Sequence, residues 1–137
     1  MDKRETYTVG YSDVALRYMM RRHAARDAAF LLPRLKPGMT LLDCGCGPGT
    51  ITVGLAKAVA PGRVVGIDLE ESQIEAAQQI ARERGATNIE WKAASIYQLP
   101  FPDNSFDVVF SHALFEHLGE PQAALQEIRR VLRPDGL

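Results

Sequence analysis

The sequence predicts an α/β fold, a doubly wound parallel sheet preceded by a helical N-terminal segment. Two observations predict it. From residue 39 onward, short and nearly continuous apolar runs alternate with longer amphipathic ones. That is the pattern of strands covered on both faces by crossover helices. The first apolar run also opens into a turn with glycine at every second position, Gly45, Gly47 and Gly49, before the next helix begins. Such a turn lets the backbone reverse sharply and lets a ligand lie against the main chain.

The elements follow in order. Tyr7 to Leu35 reads as a helix with Ser12 as N-cap. Val14, Leu16, Tyr18, Met19, Ala25, Phe30 and Leu31 are broadly helical in spacing without forming a clean stripe. Pro33 and Pro37-Gly38 end this segment. Met39–Asp43 is a strand, Thr50–Val59 a helix, Pro61-Gly62 a turn and Arg63–Asp68 a second strand. Glu71–Arg84 is a helix closed by Gly85 at C′. Asn88–Lys92 and Phe106–Ser111 are the third and fourth strands, joined by a loop rich in Pro, Asp and Asn. His112–Leu118 supplies a helical turn or two. Pro121 stands at N1 of a last helix reaching about Arg133, stopped by Pro134-Asp135-Gly136. Right-handed crossovers then restrict the topology to a Rossmann-like sheet. Residues 1–36 form a helical cap and 37–137 the core of a single domain.

Bulk properties narrow the function. With 137 residues, 46% of them hydrophobic, the chain can bury a core without disulfides or metals. A net charge of -1 offers no field to gather nucleic acid. Arg17, Arg21, Arg22 and Arg26, interspersed with Asp13 and Asp27, read as a solvated helix face, with a phosphate or membrane-surface contact as the alternative. Cys44 and Cys46 are too close in sequence to bridge readily and lack a second Cys/His pair for a metal, so they read as packing residues in a reducing compartment. The charged start Met1-Asp2-Lys3-Arg4-Glu5 is not a secretory signal, and no apolar run reaches the ~18 residues of a membrane span. The expectation is a soluble, cytoplasmic protein with no membrane or nucleic-acid partner.

The ligand chemistry is carried by two acids around the glycine turn. Asp68 ends the second strand, where a carboxylate grips the two hydroxyls of a ribose. A dinucleotide is one candidate, but Pro48 removes an N–H from the loop that would cradle a pyrophosphate. Asp43, just before the loop, would repel a phosphate and suits a ligand carrying an ammonium group. S-adenosylmethionine has a ribose, an amino-acid tail and a sulfonium, and no phosphate. A dinucleotide-dependent oxidoreductase fragment and a non-catalytic, oligomerising module that keeps the cofactor pocket stand as the alternatives.

Asp43 with Gly45, Gly47 and Gly49 resembles the first motif of class I S-adenosylmethionine-dependent methyltransferases. Val65-Gly66-Ile67-Asp68 resembles the second. Leu99–Val109 resembles the loop and fourth strand, and Glu127–Gly136 the helix and turn that follow. The likeness is to the ubiquinone/menaquinone-biosynthesis type, whose acceptors are small molecules. It implies that Asp43, Gly45, Cys46, Gly47 and Gly49 hold the methionine end, that Asp68 binds the ribose and that Leu69 packs on adenine. Ser95 occupies the position of the family's adenine-binding Asp, Ile96 offers its N–H to the ring, and Ser111 lies near the methionine end. His112 and His117 are the candidates for acid–base work on an acceptor, with Glu116 beside them. Their spacing implies no metal site. The family fold continues with a fifth strand after Pro134-Asp135-Gly136, whereas only Leu137 follows here. The resemblance therefore implies a sheet truncated after its fourth strand, with strand order 3-2-1-4. Val108-Val109-Phe110 would lie at an edge, where homo-oligomers form, and the chain alone would turn over little.

Overall fold

The structure is a computed structural model that describes residues 13–137. Ser12, the start of the predicted helix at Tyr7 and the charged N-terminus lie outside the described residues. Four parallel strands, β1 (Leu41–Cys44), β2 (Val64–Asp68), β3 (Ile89–Ala93) and β4 (Val108–Ser111), form one sheet in the order β3-β2-β1-β4. β1 pairs with β2 from Leu41↔Val64 to Cys44↔Ile67, and with β4 from Leu41↔Val108 to Cys44↔Ser111. This register brings the ends of β1, β2 and β4 level, so that Cys44, Ile67 and Ser111 share one rim.

Side chains alternate between two buried faces. Leu41, Val64, Val108 and Phe110 pack with Ala24, Ala28, Leu55 and Val59, whereas Leu42, Cys44, Val65 and Ile67 pack with Ile96, Phe106, Ala124 and Val131. That period of two, apolar on both faces, is why β1 and β2 read as continuous apolar runs. Phe106 is fully buried and meets Phe101 edge-on with ring centroids 5.1 Å apart. Burying a side chain of that size contributes about 1.5–3 kcal/mol.

The connecting helices are α3 (Thr52–Val59), α4 (Glu71–Glu83) and α5 (Pro121–Val131). α4 buries Gln73, Ile74, Ala77, Ile80 and Ala81, an i, i+3, i+4 stripe. It stops where expected. Gly85 has φ +68°, its N–H donates to the Arg82 carbonyl at 3.3 Å, and the Ala86 N–H donates to the Ala81 carbonyl at 2.9 Å. These two bonds make a Schellman cap.

The predicted single helix to Leu35 is corrected. The described part is broken into α1 (Asp13–Met19), α2 (Ala24–Asp27) and a 3-10 turn at Leu32–Arg34. The uneven apolar spacing is the cause. Ala15 and Met19 form one buried stripe, and Ala24, Ala28 and Leu31 form another out of phase with it, while Val14, Tyr18 and Phe30 are exposed. The chain must turn between the two stripes. It does so through i→i−3 bonds from the Arg21 and Arg22 N–H groups to the Tyr18 and Met19 carbonyls, followed by an extended His23 at φ −155°. The Asp27 carboxylate accepts the His23 N–H at 2.9 Å and sets the start of α2.

β4 has β1 as its only partner among the named strands. Leu137 lies along its outer edge, where its N–H donates to the Asp107 carbonyl and its carbonyl accepts the Val109 N–H, both at 2.9 Å. His112–Leu118 contains a 3-10 turn, Phe115–His117. No helix among the described residues is long and apolar enough to cross a membrane.

Candidate functional site

The rim formed by the ends of β1, β2 and β4 opens into a cavity of about 300 Å³, within the range of small-molecule sites. Asp43, Gly45, Cys46, Gly47, Asp68, Leu69, Ile96, His112 and His117 all line it, from four separate stretches of chain. Gly49, Ser95 and Ser111 do not line it.

The loop after β1 has the unusual backbone that its glycines permit. Gly45, Gly47 and Gly49 all have positive φ, +72°, +53° and +81°, a region that side chains disfavour. Their surroundings differ. A Cβ on Gly49 would stand 2.6 Å from the Trp91 ring and 3.0 Å from Ala77 of α4, whereas one on Gly45 would meet only the end of the Leu114 side chain at 3.1 Å. Gly49 therefore serves the packing of β3 and α4 against the loop, and Gly45 and Gly47 line the cavity.

The N–H groups of this loop are already spoken for. Those of Gly45 and Cys46 donate to the Ile67 carbonyl at 2.8 and 2.9 Å, that of Gly47 to Asp68 Oδ2 at 3.0 Å and that of Gly49 to the Cys46 carbonyl at 3.1 Å. Pro48 has none. Positions 45–49 thus offer no donor array to a pyrophosphate, which is what a dinucleotide fold needs at this turn. The donor set instead suits a ligand that brings its own hydroxyl and ammonium donors to buried acids.

Both acids are in place. Asp43 is 2% exposed and accepts the Thr52 hydroxyl at 2.7 Å. Burial pushes its carboxyl up to about 7, the Thr52 hydrogen bond opposes this, and the charge of Asp68 adds to it. Asp68 accepts the Gly47 N–H on Oδ2 and the Glu70 N–H on Oδ1, each at 3.0 Å. Burial raises its pKa as well, against those two backbone bonds. Each oxygen keeps a second lone pair for a hydroxyl. Cys46 forms part of the floor; burial, with the charges of Asp43 and Asp68 after it, pushes its thiol well up, so it stays protonated. Cys44 is buried in the core, and neither cysteine is bridged.

Other placements refine the reading. The Ser95 hydroxyl accepts the Tyr97 N–H at 3.2 Å, which ties it into the turn that presents Ile96. His117 lies on the cavity wall with its Nε2 3.5 Å from the Glu116 carboxylate. His112 is held below its ordinary value by burial first and by the charge of Arg22 second. Ala113, between this His and Leu114, has φ +54°. No cluster of three or more His, Cys, Asp or Glu side chains among the described residues could hold a metal. The sequence reading missed Met19, Arg22 and Leu114 as lining residues. Arg22 was assigned to a solvated face, and it faces the cavity because the helix breaks just before it.

A four-stranded doubly wound sheet with an acid at the end of β2 and a donor-poor glycine loop after β1 suits a ligand without phosphates better than a pyrophosphate-bearing one. A family profile described as a methyltransferase domain matches residues 35–137. The chain belongs to that family. It is 39% identical over 129 residues to an uncharacterized methyltransferase of Schizosaccharomyces pombe, covering 87% of this chain and 46% of that protein. It is 36% identical over 119 residues to the demethylmenaquinone methyltransferase of Geobacillus stearothermophilus, covering 85% of this chain and 51% of that one. Among solved structures, a SAM-dependent methyltransferase from Aquifex aeolicus superposes with a TM-score of 0.80 at 30% identity, over 91% of this chain and 69% of that one. The chain spans about half the length of these two curated relatives.

Proposed function

We propose that this chain binds S-adenosylmethionine in the cavity at the strand ends and serves methyl transfer to a small-molecule acceptor. The observation that carries the cofactor is the pairing of two buried acids, Asp43 and Asp68, with a loop whose N–H groups are already used. A sugar diol and an ammonium satisfy such a site, and a phosphate does not. Asp68 would take the ribose hydroxyls, Leu69 and Ile96 would flank the adenine, and Gly45–Gly47 would lie beneath the amino-acid tail.

When bound, the cofactor supplies a methyl carbon already activated by its sulfonium. The chain positions and dries this reaction. Leu114 and Leu118 with Met19 form apolar wall, which excludes water from the reacting centre. The ends of β1 and β2 set the direction from which an acceptor must approach for an in-line displacement. The His112 imidazole, kept neutral by burial, can receive the proton of an acceptor hydroxyl. The likeness to demethylmenaquinone methyltransferase supports a small acceptor of the quinol kind. Pairing between copies along the outer edge of β4 belongs to the same proposal, and light scattering across a concentration series tests it.

The direct test is a crystal structure of the chain soaked with S-adenosylhomocysteine. The expected result has the ribose on Asp68 and the adenine between Leu69 and Ile96. Ligand density elsewhere, with this cavity empty at saturating concentration, would overturn the assignment.

A further inference from the structure

The cavity has an uneven charge. Asp43, Asp68 and Glu70 line it, and Arg22 is the one lysine or arginine among the described residues that does. Arg22 is half-buried at the turn after α1. Its backbone N–H is fixed to the Met19 carbonyl at 3.1 Å, and its guanidinium carbon stands 5.7 Å from the exposed Tyr18 ring. No carboxylate among the described residues takes a hydrogen bond from its side chain, in contrast to Arg26, which is bound to Asp27 at 3.1 Å and lies outside the cavity.

The turn bearing Arg22 is docked on the glycine loop. The Met19 carbonyl accepts the Thr50 hydroxyl at 3.3 Å, and Met19 Sδ lies 3.7 Å from where a Cβ on Gly47 would stand. Arg22 is therefore held over the same end of the cavity as Gly45–Gly47, where an amino-acid tail would lie. That tail carries one ammonium and one carboxylate. The ammonium finds Asp43. The carboxylate, facing three acids, needs a cation, because an unpaired charge in a partly buried site is costly.

We propose that Arg22 receives the α-carboxylate of the cofactor's amino-acid tail and thereby makes that carboxylate a requirement for tight binding. The inference rests on the cofactor reading above. A guanidinium fork meets a carboxylate through two parallel hydrogen bonds, which gives direction as well as energy. His112 does not compete for this role. Burial and the charges of Arg22 and Arg26 favour its neutral form, against the opposite pull of Asp27 and Glu116. The consequence is selection: adenosyl ligands that lack the carboxylate, such as decarboxylated S-adenosylmethionine or 5′-methylthioadenosine, bind weakly.

Isothermal titration of the full chain with S-adenosylhomocysteine and with 5′-methylthioadenosine tests it. Wild type should prefer the former. Arg22→Gln should lose about tenfold to a hundredfold on S-adenosylhomocysteine, the range for hydrogen bonds to a charged group, and nothing on 5′-methylthioadenosine. Arg22→Lys should recover part of the loss. Equal affinities of wild type and Arg22→Gln for S-adenosylhomocysteine would overturn the proposal while leaving the cofactor reading intact. A parallel loss on both ligands would also overturn it, by showing that Arg22 only shapes the site. Failure of wild type to bind S-adenosylhomocysteine at all would overturn the cofactor reading and this inference with it.

Discussion

The Gly47 N–H donates to Asp68 Oδ2 at 3.0 Å across 21 residues of sequence. The acid at the end of β2 thus latches the loop at the end of β1, and the same carboxylate is the group proposed to take the ribose hydroxyls. Its two roles are separable. Asp68→Asn keeps an oxygen to accept one backbone N–H and should fold, while losing the charge that strengthens hydroxyl bonds. We expect it to weaken S-adenosylhomocysteine binding by about 1.5–3 kcal/mol. Asp68→Ala should lose binding and also unfold at lower temperature, because two backbone donors are orphaned. Calorimetry and thermal melts on the two variants separate the effects. Equal melting temperatures for both would mean that the latch contributes nothing.

Asp43 links the site to pH. Its carboxyl is pushed from 3.8 up to about 7, above the unfolded value. The stability carried by its neutral form is fully present below the unfolded pKa and is lost as pH rises through the folded one. The melting temperature of the ligand-free chain should therefore fall as pH rises from about 4 to about 7 and level off above that, and Asp43→Asn should flatten the slope. A ligand ammonium beside Asp43 would favour its charged form and expel the proton. S-adenosylhomocysteine should accordingly bind more tightly at the upper end of that window, with a binding enthalpy that depends on the buffer. A pH-independent affinity would place the ammonium elsewhere.

The glycines of the loop should not be equivalent. Gly49→Ala must push aside the Trp91 ring at 2.6 Å and Ala77 at 3.0 Å, at φ +81°. Gly45→Ala meets only a movable leucine terminus at 3.1 Å. We expect about 2–4 kcal/mol of destabilisation for the first, from strain and overpacking together, and about 1–2 kcal/mol for the second, from backbone strain alone. Gly45→Ala should instead impair ligand binding. Denaturant unfolding beside a titration checks the order, and a reversed ranking would contradict the assigned roles.

Arg130 fastens the loop that follows Ile96. Its guanidinium donates to the Leu99 carbonyl at 2.9 Å, the Phe101 carbonyl at 2.7 Å and the Glu127 carboxylate at 2.6 Å. Arg130→Lys cannot span these acceptors with one ammonium. It should cost about 1–3 kcal/mol of stability and loosen the adenine end. Hydrogen exchange should show faster opening near residue 99, and unchanged protection there would mean that the apolar contacts of Phe101 suffice.

How much of this was legible in the sequence depends on whether the cause is local. The strands, the glycine turn and the placement of Asp43 and Asp68 follow from apolar runs and turn residues readable within short windows, whereas the strand order came from the family resemblance. The break before His23 was not, because the two out-of-phase stripes, Ala15–Met19 and Ala24–Leu31, consist largely of alanines, and which of these are buried is decided where α2 packs on α3. Arg22 was lost with it, since a helix face and a cavity wall look alike in sequence. The uneven roles of Gly45 and Gly49 depend on Trp91, more than forty residues away, and Arg130 acts on carbonyls that any residue carries. The only trace of the break in the sequence was the lack of a clean apolar stripe.

The two buried acids and the donor-poor loop should together select an adenosyl ligand without phosphates. Side-by-side calorimetric titration of the chain with S-adenosylhomocysteine and with NAD measures this directly. Saturable binding of S-adenosylhomocysteine is expected, lost in Asp68→Ala, with no binding of NAD at the same concentrations. Binding of NAD with none of S-adenosylhomocysteine would contradict it.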